Sequence, residues 1–327
     1  MRKYLLSTSA IAGVSLMSSL AMADVSISGA VEFEYSSIDS NIAANDGTAT
    51  SSNHEVHINF VNKTDSGLTV TYHNQLDTDS GGVDDNSLTI AGGFGSIVLG
   101  NTDGAEDKYA VNPGAVTQEE SNGATLTNTG TTTQIGSSTG ARQDGNGNKI
   151  SYHLPAMGGL TAGVTVGTGS VAKNNEYSSF GLKYAMNTGD AAVTLAYSTK
   201  TLETTTTADN DVSSFGVNVA MGALSFTVSG ATKTAVDEDI STQSAGVSYD
   251  LGNGLVVAAG TLKSEDDDDA GEEYNMTTYE AAYTIASGLS AVLNVSDFDY
   301  ENGTNVDAAG QVDVNGTTTS LTIKASF

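Results

Sequence analysis

The sequence predicts an all-β fold: a sixteen-stranded antiparallel transmembrane β-barrel with short turns at one end and long connections at the other. Three observations predict it. Apolar residues recur with a period of two along most of the chain, as in strands whose two faces meet different surroundings. Seven hairpins close at short turns and each end of the chain adds one more strand, giving sixteen. No apolar run beyond residue 24 reaches transmembrane-helix length, although the 327 residues are only 16% charged and include 37 Gly against 2 Pro. A barrel strand that alternates lipid-facing and lumen-facing residues averages to such neutral hydropathy.

The first residues stand apart. Met1-Arg2-Lys3 is a short basic start, Leu5 to Leu20 is mostly apolar, and Ala21-Met22-Ala23 is an A-x-A cleavage pattern. Residues 1–23 therefore read as a cleaved export signal, with the mature domain spanning 24–327. The apolar stretch is too short for a membrane anchor. Cleavage removes two cations and no acid, taking the net charge from −27 to −29.

From Asp24 the alternation is immediate. Val25, Ile27, Gly29, Val31, Phe33 and Tyr35 oppose Ser26, Ser28, Glu32 and Glu34. Val56, Ile58 and Phe60 turn at Lys63 to Gly67 into Leu68, Val70 and Tyr72; centring that hairpin on Asp65 sets Phe60 opposite Val70 and Ile58 opposite Tyr72. Leu88 and Ile90 turn at Gly93 to Ser96 into Val98 and Gly100, and Ile150, Tyr152 and Leu154 turn at Pro155 to Gly159 into Leu160, Ala162, Val164 and Val166. Phe180 to Met186 pairs with Val193 to Tyr197, and Phe215 to Val219 with Leu224 to Val228. Ala245 to Leu251 pairs with Leu255 to Ala259, and Tyr279 to Ile285 with Leu289 to Val295. Thr319, Leu321, Ile323, Ala325 and Phe327 form the last strand.

Between hairpins lie eight connections, near 36–53, 75–87, 101–148, 168–178, 199–211, 231–243, 262–275 and 297–316. Short turns on the periplasmic side, longer loops outside and an even strand number are the plan of an outer-membrane barrel. A soluble sandwich lacks this asymmetry, and the Gly-Gly-x-Gly-x-Asp repeats of a calcium β-roll are absent. A barrel of sixteen strands is too wide to fill with its own side chains, so it encloses an aqueous channel unless something plugs it.

Composition excludes other classes. Twelve Lys+Arg against 39 Asp+Glu cannot build a basic nucleic-acid surface. The absence of Cys removes thiol nucleophiles, disulfides and thiolate metal sites.

Several short motifs, in order and spacing, resemble the Gram-negative general porins, most closely the trimeric porins of alphaproteobacteria such as Rhodobacter. They are Val25-Ser-Ile-Ser-Gly29, Asp65-Ser-Gly-Leu68, Gly93-Phe-Gly-Ser-Ile-Val-Leu-Gly100, Asn148-Lys-Ile-Ser-Tyr152 and the terminal Phe327. The resemblance implies a homotrimer in the outer membrane, in contact with lipid and lipopolysaccharide. It also implies that the third connection, 101–148, folds inward to constrict the pore, and that Phe327 is the signal read by the barrel-assembly machinery. No cofactor is expected.

That third connection is too long for a turn. It carries Asp103, Glu106, Asp107, Glu119 and Glu120, which by resemblance form an acidic shelf at the constriction. Asp103, Glu106 and Asp107 are also oxygen ligands of the kind Ca²⁺ takes. The plain alternative is a set of solvated loop acids. Arg142, the one Arg of the mature chain, occupies a position resembling the family's constriction arginine, where a cluster is expected. Lys149, Lys183 and Lys324 fall on the lumen phase, as do Glu32, Glu34, Glu55 and Glu280. So few cations among so many acids predict a cation-preferring pore wall.

Other constellations weigh less. His54 and His57 face opposite ways on a strand and cannot chelate together. His57 and His73 oppose each other in the Asp65-centred register, but two imidazoles make a poor metal site. Ser151 and His153 share a face without an identifiable acid or oxyanion donor, which argues against a barrel hydrolase. Glu265 to Asp269 with Glu272 and Glu273 reads as an acidic exterior loop, solvated or bridged by divalent cations to lipopolysaccharide phosphates. The expected function is passive diffusion of small hydrophilic solutes and ions, without catalysis. A substrate-specific channel would need a lumenal aromatic track, whereas Tyr35, Tyr72, Tyr152, Tyr197 and Tyr249 fall on the lipid phase. A barrel enzyme or an adhesin are the alternatives from other classes.

Overall fold

The computed structural model describes residues 24–41, 46–78, 81–111, 148–168, 176–203, 210–235, 238–267, 272–302 and 314–327; the expected signal, 1–23, lies outside them. The elements run β1 (Asp24–Ser40), β2 (Gly47–Lys63), β3 (Thr69–Asp77), β4 (Gly82–Gly92), β5 (Gly95–Asn101), α1 (Ala105–Lys108), β6 (Asn148–His153), β7 (Leu160–Thr168) and β8 (Glu176–Thr188). They continue with β9 (Ala191–Glu203), β10 (Asn210–Met221), β11 (Leu224–Ala235), β12 (Glu238–Gly252), β13 (Leu255–Asp266), β14 (Glu272–Ala286), β15 (Leu289–Asn302) and β16 (Val314–Ser326). Each strand pairs with its sequence neighbours, and β16 returns to β1, so the sixteen-strand sheet is a closed barrel.

At the seam Glu32 faces Lys324 and Phe33 faces Ile323. The seam runs to the last residue: the Phe327 N–H donates to the Gly29 carbonyl at 2.9 Å, and the Gly29 N–H to the Phe327 carbonyl at 3.2 Å. Closure leaves no unpaired edge for lipid to meet.

Period two sorts the side chains. Ile27, Phe33, Ile150, Val166, Phe215 and Tyr279 point outward and are each 52–55% exposed. Left in water, each would forfeit about 1.5–3 kcal/mol, so this face needs an apolar solvent. The inward face is built from cross-strand hydroxyl pairs: Ser151 with Thr165 at 2.9 Å, Ser198 with Ser214 at 2.7 Å, Ser229 with Ser244 at 2.7 Å and Thr278 with Ser296 at 2.8 Å. No described helix is long and apolar enough to cross a membrane. Strands do the crossing.

Three local expectations are corrected. In the β2–β3 hairpin Phe60 faces Tyr72, with rings 6.2 Å apart, and Ile58 faces Asn74, so the pairing slides by two residues. The cause is the turn: Thr64 bonds Leu68 through both backbone and hydroxyl, and Gly67 takes a φ of 83°, which centres the hairpin on Ser66 rather than Asp65. His57 accordingly faces Gln75, while His73 faces Asn59.

In the β4–β5 hairpin Gly92 pairs with Gly95, so Ile90 meets Ile97 and Leu88 meets Leu99. Val98 and Gly100 therefore face the lumen, opposite Ser151 and Lys149, and not the lipid. The tight turn at Gly93-Phe94 fixes that phase.

Most connections are also shorter than expected. β1 and β2 reach Ser40 and Gly47, β11 and β12 reach Ala235 and Glu238, and β13 and β14 reach Asp266 and Glu272. Above the lipid band both faces are polar, so the apolar alternation stops while the backbone ladder continues. The described acids of that segment sit at the paired ends of β13 and β14, where Glu265 faces Glu273 and Asp266 faces Glu272; Asp268 and Asp269 lie outside the described residues. Lys263 lies 2.6 Å from Glu265 and 3.0 Å from Glu273, easing the like-charge opposition.

Candidate functional site

The connection after β5 turns into the barrel. Its helix α1 packs against β7, β8 and β9. The seat exists because those strands put small residues on their lumen face. A Cβ on Gly181 would overlap the Ala105 carbonyl and stand 2.8 Å from Tyr109 Cβ, and one on Gly163 would stand 2.8 Å from the Tyr109 ring. Farther along, Gly216 makes room for Val111. Polar contacts finish the docking. The Ala105 N–H is shared between Thr165 Oγ1 at 2.9 Å and Ser179 Oγ at 3.2 Å, satisfying an amide that would otherwise be buried and orphaned. The Tyr109 hydroxyl donates to the Ala162 carbonyl at 3.1 Å and sits 3.1 Å from His153 Nδ1. Ala105, Glu106, Tyr109 and Val111 are buried by this docking, at 0%, 2%, 6% and 8% exposure.

Asp103 stays exposed and Asp107 half-exposed, whereas Glu106 points into the wall beside Tyr177 and Gly104. Glu106 is thus not a pore-lining acid: it is 2% exposed, with its carboxylate beside Gly104 and the Tyr177 hydroxyl. Together with Lys108, Asp103 and Asp107 line a cleft of about 280 Å³ against Val98, Ser151 and His153. Lys108 is exposed to this cleft, yet the enclosing wall removes part of its hydration and lowers its pKa below that of a free lysine. Burial raises the Tyr109 hydroxyl's pKa for the same reason. Glu119, Glu120 and Arg142 lie outside the described residues.

The wall residues divide by environment. Lys149 is inward but only 3% exposed: its Nζ donates to the Thr102 carbonyl at 3.0 Å and stands 4.9 Å over the Tyr177 ring, pinning the start of the inward connection. Lys183 reaches the Lys108 carbonyl at 3.5 Å. Lys324 pairs with Glu32 at 3.3 Å, and Glu34 accepts from the Thr322 hydroxyl at 3.3 Å. Glu55 contacts His57 at 3.1 Å, and the His57 and His73 rings stack diagonally at 5.6 Å rather than directly opposed. Glu280 faces inward and is 5% exposed.

Ser151 and His153 share a face as expected, but their partners differ, Thr165 for the first and Tyr109 for the second. They hold the wall and the docked segment. Among the described residues no three His, Asp or Glu side chains converge to hold a metal ion, and Asp103, Glu106 and Asp107 are no exception.

Sequence reasoning passed over Lys108, Tyr109 and the glycine seat. The available signal was glycine on the lumen phase at Gly163, Gly181 and Gly216, where the neighbouring inward positions Thr161, Thr165, Ser179, Lys183, Ser214 and Asn218 all carry polar side chains. It also passed over inward aromatics. Tyr72, Tyr197 and Tyr249 do face out, at 41–47% exposure, but Tyr177, Tyr274, Phe298 and Tyr300 face the lumen. These four are 2–5% exposed and present no accessible track.

Solved structures share this architecture. Outer-membrane expressed OmpT of Vibrio cholerae superposes with a TM-score of 0.70 at 14% identity, covering 96% of this chain and all of its own. An anion-selective porin from Comamonas acidovorans gives 0.66 at 14% identity, covering 94% of this chain and 100% of that one. The trimer form of in-vitro folded OmpT gives 0.66 at 15% identity, covering 93% and 99%. No curated protein matches by sequence. The model of the Gram-negative porin family, however, matches residues 7–322. With a closed sixteen-strand barrel, a lipid-facing exterior and an inward-docked third connection, the chain belongs to the Gram-negative porins and is a diffusion channel of the outer membrane.

Proposed function

We propose that the channel passes small hydrophilic solutes and ions passively, prefers cations and performs no catalysis. The carrying observation is the asymmetry of charge at the docked segment. Asp103 and Asp107 reach the cleft against the single cation Lys108, while Lys149 is buried on a backbone carbonyl and Lys324 is matched by Glu32. Carboxylates at a narrow point lower the cost of cation entry and raise that of anions. The net charge of residues 24–327, −29 once Arg2 and Lys3 are removed, adds a background field of the same sign.

The working assembly is a homotrimer, a reading supported by the trimer form of a structurally similar outer-membrane protein. Residues 1–23 serve as the export signal. Phe327, 77% exposed on the lipid side, serves as the mark for the assembly machinery. The outward Glu265 and Glu273 meet lipopolysaccharide phosphates through divalent cations.

Liposome swelling tests passive transport. Neutral sugars of increasing size should enter at rates that fall smoothly with size and rise linearly with concentration. Saturating uptake of one sugar would replace this reading with that of a substrate-specific channel.

A further inference from the structure

We propose that His57 and His73 are specificity-determining residues of the ion path, and that their protonation lowers the channel's cation preference as the medium acidifies; this deepens the channel reading above and rests on it. The strand register places both rings on the lumen face of β2 and β3. The same inner wall carries Asp24, Glu32, Glu34, Glu55 and Asp77 against Lys63 at its periplasmic foot. It is also the side open to water. The side chains of Glu32, Glu55 and His57 are 41%, 26% and 25% exposed, whereas the inward Lys149, Lys200 and Glu280 elsewhere on the barrel are buried, at 3–5%. Ions crossing the lumen therefore meet this wall.

The pair is built into it. The Glu55 carboxylate and the Asn59 amide oxygen can only accept, so His57 donates its Nε2–H to Glu55 at 3.1 Å and His73 its Nδ1–H to Asn59 at 2.8 Å. In the neutral rings that leaves His57 Nδ1 and His73 Nε2 to take up protons. The rings stack at 5.6 Å, so both new charges arise in one patch. Ser28 lies opposite His57 on β1, Gln75 opposite it on β3 and Ser87 opposite His73 on β4. Asp77 lies opposite Glu55, and Asp84 and Asp85 occupy the β4 bulge opposite Gln75. Imidazole changes charge between about pH 5 and 8, where a carboxylate is ordinarily ionised. With neutral rings the wall is an acidic lane that concentrates cations; two protonated rings oppose Glu55 and Asp77 charge for charge and remove that excess. The other two imidazoles are placed differently: His54 faces outward opposite Val31, and His153 is 6% exposed beside the Tyr109 hydroxyl.

Planar-bilayer recording of the refolded protein in a KCl gradient, from about pH 8 down to about pH 5.5 and so above the ordinary carboxylate range, tests this. The K⁺/Cl⁻ permeability ratio should fall about two- to fivefold across that span, the effect of one or two exposed charge pairs. The His57→Gln/His73→Gln double variant should hold its alkaline ratio throughout. His73→Lys, a permanent cation over this span, should show a lowered ratio already at the alkaline end. A fall that persists in the double variant, or an unaltered protein whose ratio does not move, would overturn the role of the pair alone. Should the double variant fail to fold, an unlowered alkaline ratio in His73→Lys overturns it equally. Anion preference of the unaltered protein at the alkaline end would instead overturn the cation-preferring reading beneath it.

Discussion

Gly181 lies flush beneath Ala105: a Cβ added to Gly181 would overlap the Ala105 carbonyl oxygen and press on Tyr109 Cβ at 2.8 Å. The docked segment and the wall therefore fit only while that position has no side chain. Gly181→Val should push α1 off β8, since overpacking of this kind costs about 1–3 kcal/mol and the barrel itself cannot yield. Single-channel conductance should rise, with the barrel's resistance to heat and detergent preserved. An unchanged conductance would mean that the segment does not narrow the pore.

The shared hydrogen bond of Ala105 makes a second prediction. Replacing both acceptors, Thr165→Val with Ser179→Ala, leaves a buried N–H unpaired at a cost of about 1–3 kcal/mol. The segment should undock more often, and trypsin should cut after Lys108 faster than in the unaltered protein. Equal cutting rates would show that the contact contributes nothing to docking.

Lys108 supplies a pH dependence. Its pKa is lowered when docked, so the undocked chain binds the proton more tightly. Stability rises with pH wherever the undocked state holds more protons, so docking should strengthen as pH climbs through the alkaline range between the docked and free lysine values. Over the same range the cleft loses its cation and cation preference should increase. Lys108→Met should flatten both trends; a variant that keeps them would assign the titration elsewhere.

The seam pair Lys324 and Glu32 gives a charge test with little structural cost. At 3.3 Å, with both side chains partly exposed, it contributes about 0–1 kcal/mol to stability. Lys324→Met should leave thermal stability nearly unchanged and shift the reversal potential toward cations, and Glu32→Gln should shift it the other way. Shifts of the same sign in both variants would remove this pair from the ion path.

Phe327 separates folding from assembly. Its backbone closes the seam on Gly29, and its side chain is 77% exposed. Phe327→Ala keeps the backbone pair, so refolding yield in detergent should be retained while the amount assembled in cells falls. A matching loss in both would make the residue structural rather than a signal.

Strand identity was legible wherever one face meets lipid and the other water. Phe180 to Met186 and Phe215 to Val219 alternate strongly, and their phase follows from it. The upper halves were not legible, because Thr48, Thr50 and Ser52 face out beside the equally polar Ser51 and Asn53 facing in. The phase of β5 depended on the Gly93-Phe94 turn, and the register of β2–β3 on the Thr64–Leu68 bonds, details that composition does not carry. At the site, Asp103 and Asp107 could be read as acids of an inward connection. Which of Asp103, Glu106, Asp107 and Lys108 reach water depends on how one helical turn sits on Gly163 and Gly181, a tertiary fact.

The central claim is a water-filled barrel whose docked third connection favours cations. Planar-bilayer recording of the refolded protein across a KCl gradient measures it most directly. Stepwise insertions with a reversal potential of the sign set by K⁺ are expected. A reversal potential of the sign set by Cl⁻, or folded protein that inserts and carries no current, would contradict the account.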